Sequence, residues 1–217
     1  MMVSPDFFHL EPLDLAQALL GKVLRHRINH PEYGDIWLSA RIIETEAYYR
    51  AEKGSHSSLG FTEKRRAMFM APGTIYMYYA RGGDSLNFSA LGDGNGVLIK
   101  SGRIHVDRKS PGHTVSIMQE LNPVNGRPRQ PERLCSGQTL LCRSLGLKVP
   151  EWNQQRLKRG RFILDDVGMT PSALVQCRRL GIPAGRDEHL PYRFVDYDSV
   201  TLATKNPLKD EHRIIES

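Results

Sequence analysis

Between Ile36 and Ser101 the chain alternates apolar runs with short glycine-rich breaks, and this pattern restricts its fold more than any other feature. The run IWLSARIIETEAYY (36–49) predicts one long strand. After TEKRRAMFMAPG come three shorter runs, TIYMYYA (74–80), SLNFSAL (85–91) and VLIKS (97–101), separated by RGGD and GDGNG, which is the turn chemistry of hairpins. Strands joined so tightly pair antiparallel, so a meander is expected. Helices are predicted at the margins. Asp14 is placed to cap LAQALL, with Leu15 and Leu19 on one face and Gly21 at the stop. Ser136 is placed to cap GQTLLCRSL before Gly146, and PSALVQCRRL reads as a helix capped by Ser172 and ended by Gly181. The expected class is α+β: a single mixed domain over 1–217, with a curved, mainly antiparallel sheet and peripheral helices. Met68, Phe69 and Met70 read as core, and Tyr76 as a strand packing residue.

Composition and charge argue against several function classes. The start, MMVSPDFFHLEPLDL, has no basic segment leading into an apolar one, and nothing later approaches ~18 consecutive apolar residues. The expectation is a soluble protein that is neither exported nor membrane-bound. Cys135, Cys142 and Cys177 cannot all pair, and their spacing fits neither a zinc knuckle nor a redox CxxC, so they read as reduced and structural. The charge is regional. Lys plus Arg is 30 against 24 Asp plus Glu, a net +6, but residues 100–161 hold 13 basic and 4 acidic residues, or +9, leaving −3 for the remainder. Loops such as GRPRQPERL (126–134) and RLKRGR (156–161) offer arginines to a polyanion, where phosphate neutralisation releases counterions, and equally form a solvated basic face.

The stretch ETEAY carries the chemistry. In a strand, Glu44, Glu46 and Tyr48 share a face, with the two carboxylates about 7 Å apart. Tyr76 and Tyr78 share a face in the next run, and Asn87 lies between Ser85 and Ser89 in the one after. If these strands are neighbours, their polar faces form a pocket of carboxylate, phenols and amide, with His56 on the loop after the first strand. That inventory suits a planar, nitrogen-rich ring. Beside a basic groove it is what an enzyme needs to hold a nucleotide taken out of the duplex.

ARIIETEAYY, His56, MFMAPGTIYMYYA, Asn87, GDGNGVLIK, RLCSGQTLLC, RRLGIPAG and PYRF, in that order, resemble the alkyladenine (3-methyladenine) DNA glycosylase family over nearly the whole chain. The resemblance implies a single-domain enzyme without metal or cofactor. It would excise alkylated or deaminated purines from double-stranded DNA as a monofunctional monomer, in the cytoplasm of a bacterium or the nucleus of a eukaryote. It assigns Glu46 as the general base for the attacking water. Tyr48, His56 and Tyr78 wall the base pocket, Asn87 crowds out guanine's exocyclic amino group, and Leu98 completes the wall. Lys100 stands where the pattern has arginine and is expected to pair with Glu46. The stretch YARGGDSLN is one residue shorter than the pattern, so the wedge that fills the vacated stack falls on Arg81 counting forward and on Ala80 counting back, with Tyr79 adjacent. Two other readings stand beside this one: a hydrolase of another sugar bond using Glu44 and Glu46 as acid and base, and a binding module that reads a damaged base without cutting it.

Overall fold

The computed structural model describes residues 1–80 and 82–216; Arg81, the first wedge candidate, lies outside the described residues. Among the described residues nine strands form one sheet, in which every pairing is antiparallel. Strands β1 (Val23–His30) and β2 (Gly34–Tyr48) form a hairpin across the turn residues 31–33. Strands β3 (Ile75–Ala80), β4 (Gly83–Ser89) and β5 (Gly96–Ile104) form the expected meander, and β5 continues onto β2. Further on, β6 (Phe162–Asp165) pairs with β1, while β7 (Ala173–Cys177), β8 (Arg193–Asp196) and β9 (His212–Glu216) extend the sheet on the other side of β2, giving the order β3-β4-β5-β2-β8-β7-β9.

The alternation of β3 to β5 separates two faces. Ile75, Met77, Leu86, Phe88, Val97 and Ile99 belong to the main core with Leu15, Leu19, Leu38, Ile42 and Leu141. Each such fully buried side chain contributes about 1.5–3 kcal/mol relative to exposure. Tyr76 points the other way, into a small cluster with Ala67, Met68, Phe69 and Tyr78. Met68 is thus core as expected, but Met70 is exposed.

Helix α1 (Pro12–Ala18) buries Leu15 as expected, but it begins at Pro12, whose missing N–H costs nothing in a first turn, so Asp14 lies inside the helix rather than capping it. Gly21 ends the segment with φ +84°, donates its N–H to Ile42 O at 3.0 Å, and leaves no room for a Cβ, which would fall 2.2 Å from Met169 O. Helix α2 (Thr114–Leu121) packs on β2. Helix α3 (Gln138–Ser144) follows Gly137; Ser136 does not cap it, because its Oγ donates instead to Leu202 O at 2.7 Å. At Gly83 an added Cβ would fall 2.7 Å from Thr139 Cβ, so this glycine lets the start of α3 lie against β4.

The predicted helix over 171–180 is a strand instead. Ala, Leu and Gln in PSALVQCRRL favour a helix locally, yet Ala173–Cys177 supplies ladder hydrogen bonds to both β8 and β9. That non-local pairing outweighs the local preference. Ser172 donates its Oγ to Asp198 at 2.9 Å rather than capping anything. All three cysteines are buried and unpaired. No described helix is long and apolar enough to cross a membrane.

Candidate active site

One register row assembles the floor of a cleft of about 560 Å³. Tyr76 on β3 pairs with Asn87 on β4, Asn87 with Leu98 on β5, Leu98 with Glu46 on β2, and Glu46 with Arg193 on β8. Directly paired residues point to the same side of a sheet, so a phenol, an amide, an apolar wall and a carboxylate come together from four different strands. Among the cleft's lining residues are Tyr48, His56, Tyr76, Tyr78, Asn87, Leu98 and Lys100.

Glu46 lies just beneath this lining, fully buried. Its Oε2 accepts from the Tyr48 hydroxyl at 2.7 Å, and its Oε1 accepts from the Leu180 N–H at 3.0 Å. Lys100 Nζ faces both oxygens, at 3.4 and 3.5 Å. These contacts are long for a charge-assisted bond, which closes to about 2.7–2.9 Å when tight. Lys100 reaches this position because the β2–β5 ladder slips there: Glu44 pairs with Ser101 and Thr45 with Ile99, so Lys100 is the extra residue of a bulge, with a compensating irregularity at Ile43. Burial, and then the adjacent Glu46 carboxylate, hold the Tyr48 phenol well above its usual pKa, so it stays protonated and donates.

Glu44 shares the face but not the chemistry. Its oxygens are taken by Arg193 Nε at 2.7 Å, Ser101 Oγ at 2.5 Å and Thr204 N–H at 2.8 Å, and the segment carrying Thr204 covers it. It is neither solvent-facing nor open to the cleft, which leaves the acid-and-base pairing of Glu44 with Glu46 without a second available carboxylate. Glu44→Gln is expected to cost about 3–5 kcal/mol of stability, because the buried Arg193 guanidinium loses its counter-charge. The rate per folded molecule should change little; thermal denaturation run beside an activity assay separates the two effects.

The aromatic wall is double. Tyr76 and Tyr78 stack at 5.4 Å and 30°, and His56 stands edge-on to Tyr78 at 4.5 Å, with Nδ1 at 3.2 Å from the Tyr76 hydroxyl. Tyr76, read from the sequence as packing, thus also lines the cleft, and burial pushes its phenol up to about 12. His56 is exposed as a residue, but the enclosed part of its ring, followed by Arg65 and Arg186, lowers its pKa and favours the neutral form near pH 7. Asn87 donates Nδ2 to Tyr76 O at 3.0 Å, which fixes the amide in place.

Of the described cations at the cleft only Lys100 belongs to the basic region 100–161, and the two arginine-rich loops, 126–134 and 156–161, contribute none; the others are Arg65 and Arg186. Arg129 and Arg156 are instead bonded to backbone carbonyls of neighbouring loops, and Arg161 to Glu151. Tyr79 is 65% exposed, on the strand face opposite Tyr78 and Ala80, which both line the cleft. Leu180 and Gln138, the first residue of α3, also line the cleft, and neither carries a residue-type signal in the sequence: one acts through a backbone N–H, the other through its place at a helix start.

The family description "Methylpurine-DNA glycosylase (MPG)" matches residues 6–200. A "Putative 3-methyladenine DNA glycosylase" of Pseudomonas aeruginosa (strain LESB58) is 61% identical over 94% of this chain and 84% of its own length. Proteins of the same name from Pseudomonas savastanoi pv. phaseolicola and Methanocella arvoryzae are 58% and 31% identical, over 94% and 95% of this chain and 91% and 98% of their own.

Proposed function

The chain belongs to the methylpurine-DNA glycosylase family, and on that premise we propose how its cleft excises alkylated or deaminated purines from double-stranded DNA. A damaged purine is flipped from the duplex and held between Tyr48 on one side and Tyr78 with His56 on the other. His56 addresses its edge, while the fixed Asn87 amide and Leu98 limit its outline. Water attacks the sugar carbon C1′ as the bond to purine N9 breaks. The bonding pair leaves with the base and Glu46 takes the water proton; a cationic purine departs neutral, a neutral deaminated purine departs as its anion and takes up a proton from solvent, and the products are a free purine and an abasic site. Methylation at N3 or N7 makes the purine cationic, so it leaves without prior protonation and stacks on phenol faces by cation–π attraction. Glu46 also offsets the charge of the oxocarbenium-like sugar.

The observation that carries this reading is the placing of Glu46 directly under an aromatic-walled cleft, where Tyr48 and Leu180 hold one oxygen each and Lys100 faces both. The long Lys100 contacts make the ammonium the yielding element: a small shift opens a Glu46 oxygen to water without disturbing Tyr48. The protein would work as one domain and as a monomer, with Arg65 and Arg186 at the cleft meeting phosphate.

The test is to incubate the protein with methylated duplex DNA and to look for free purine by chromatography. Absence of released base at high protein concentration would leave only the non-catalytic binding reading. The wedge is proposed to be Arg81, the position reached by counting forward from Tyr78 in the family pattern. A guanidinium there stacks on the flanking bases and pairs with phosphate. Arg81→Ala is therefore expected to weaken lesion-specific binding several-fold and Tyr79→Ala much less; the reverse ranking in binding assays assigns the wedge to Tyr79.

A further inference from the structure

The two aromatic walls of the cleft differ in what lies behind them. Tyr78 is backed by the neutral Tyr76 ring. Tyr48 is backed by a charge: the Arg179 guanidinium carbon lies 4.5 Å from its ring centroid. The Arg179 side chain is fully enclosed and Arg179 is not a lining residue, so the Tyr48 ring stands between the guanidinium and the cavity. The guanidinium is held from several directions. Nη1 donates to Ala47 O at 2.9 Å and pairs with Glu52, and the Tyr192 ring packs 5.4 Å away. Glu52 is held in turn by the Tyr49 N–H, at 2.7 Å from its Oε1. The next residue along, Leu180, gives its N–H to Glu46.

A plain tie between the end of β2 and residues 178–188 would explain the ion pair. It gives no reason for the guanidinium to lie over the back of the ring that faces the substrate. A ring face attracts a cation through its quadrupole, and a cation already on one face opposes a second on the other, both by drawing on the same π density and by direct repulsion. Glu52 reduces that opposition.

We propose that the Arg179–Glu52 pair sets the cleft's balance between cationic and neutral purines, the Arg179 charge lowering the attraction of the Tyr48 face for a cationic base and Glu52 partly restoring it. Arg179 acts here through Tyr48 and is a positioning residue; it touches no substrate. The proposal rests on the reading of the cleft as a purine pocket.

The experiment measures base release, with enzyme in excess, from duplexes carrying 7-methylguanine (cationic) or hypoxanthine (neutral), for wild type, Glu52→Gln and Arg179→Met. Glu52→Gln leaves the guanidinium charge less compensated and is expected to lower the cationic-to-neutral rate ratio roughly threefold or more. Arg179→Met removes the charge and is expected to raise the ratio by a similar factor, even as both absolute rates fall. Should Arg179→Met fail to fold by circular dichroism, Glu52→Gln alone decides: a lowered ratio supports the proposal, and an unchanged or raised ratio overturns it. Equal losses on both lesions in both variants would show a purely structural tie and leave the purine-pocket reading intact. A wild type that releases neither base would remove that reading and this proposal together.

Discussion

Glu46→Gln is expected to abolish base release while leaving lesion binding nearly unchanged. The substitution keeps the shape of the side chain: with its amide oxygen turned to Leu180 it still accepts that N–H, and its NH2 donates to the Tyr48 hydroxyl oxygen, so the wall above and the backbone below stay in place. Lys100 loses its counter-charge, but its side chain is 11% exposed and retains partial hydration. What disappears is a group able to take the water proton. Loss of a general base costs roughly 10²–10⁴ in rate, and because this interaction matters in the transition state rather than the bound state, the loss falls on the chemical step. Single-turnover base release and fluorescence anisotropy on the same lesion duplex separate the two quantities. Retention of more than a small fraction of activity would remove Glu46 from the mechanism.

The second large effect is expected at Lys100. A lysine close to the reacting sugar raises the question of a Schiff base, which would make the enzyme bifunctional. The ion pair with Glu46 argues against it, because an ammonium has its lone pair committed to a proton and cannot attack carbon. Borohydride is therefore expected to trap no covalent protein–DNA adduct. Lys100→Arg should keep much of the activity, since a guanidinium still faces the Glu46 carboxylate. Lys100→Met should lose most of it, leaving a buried carboxylate with no cation to steady it. A trapped adduct that vanishes in Lys100→Arg would make Lys100 the attacking group and overturn the monofunctional assignment.

Much of the sheet was legible because its signals are local. The glycines of GDGNG, with Gly92 and Gly94 at φ +90° and +78°, specify the β4–β5 hairpin, and the alternation of TIYMYYA specifies the faces of β3, each within a few residues. The strands that escaped, β1 and β6 to β9, are mostly short, and PSALVQCRRL even favours a helix; they are strands because distant segments offer hydrogen-bonding partners, β1 to β6, β2 to β8, and both β8 and β9 to β7. The same distinction runs through the site. That Tyr48, His56, Tyr78, Asn87, Leu98 and Lys100 would gather was readable from face parity and an ordered set of motifs, and the structure brings all of them to one cleft.

The sequence by itself determined the antiparallel meander, the face on which ETEAY presents its carboxylates, and the family. It did not decide what either carboxylate does. Glu44 and Glu46 are chemically identical, two residues apart and both fully buried. Only the tertiary structure turns one into a structural counter-charge and leaves the other beneath the cleft, because Arg193, Ser101 and the Thr204 N–H close over Glu44, whereas Tyr48, Leu180 and the bulged Lys100 surround Glu46. Those partners arrive from strands and loops up to 160 residues distant. A charge's role is set by the groups that compensate it in three dimensions, and a linear pattern carries no record of them.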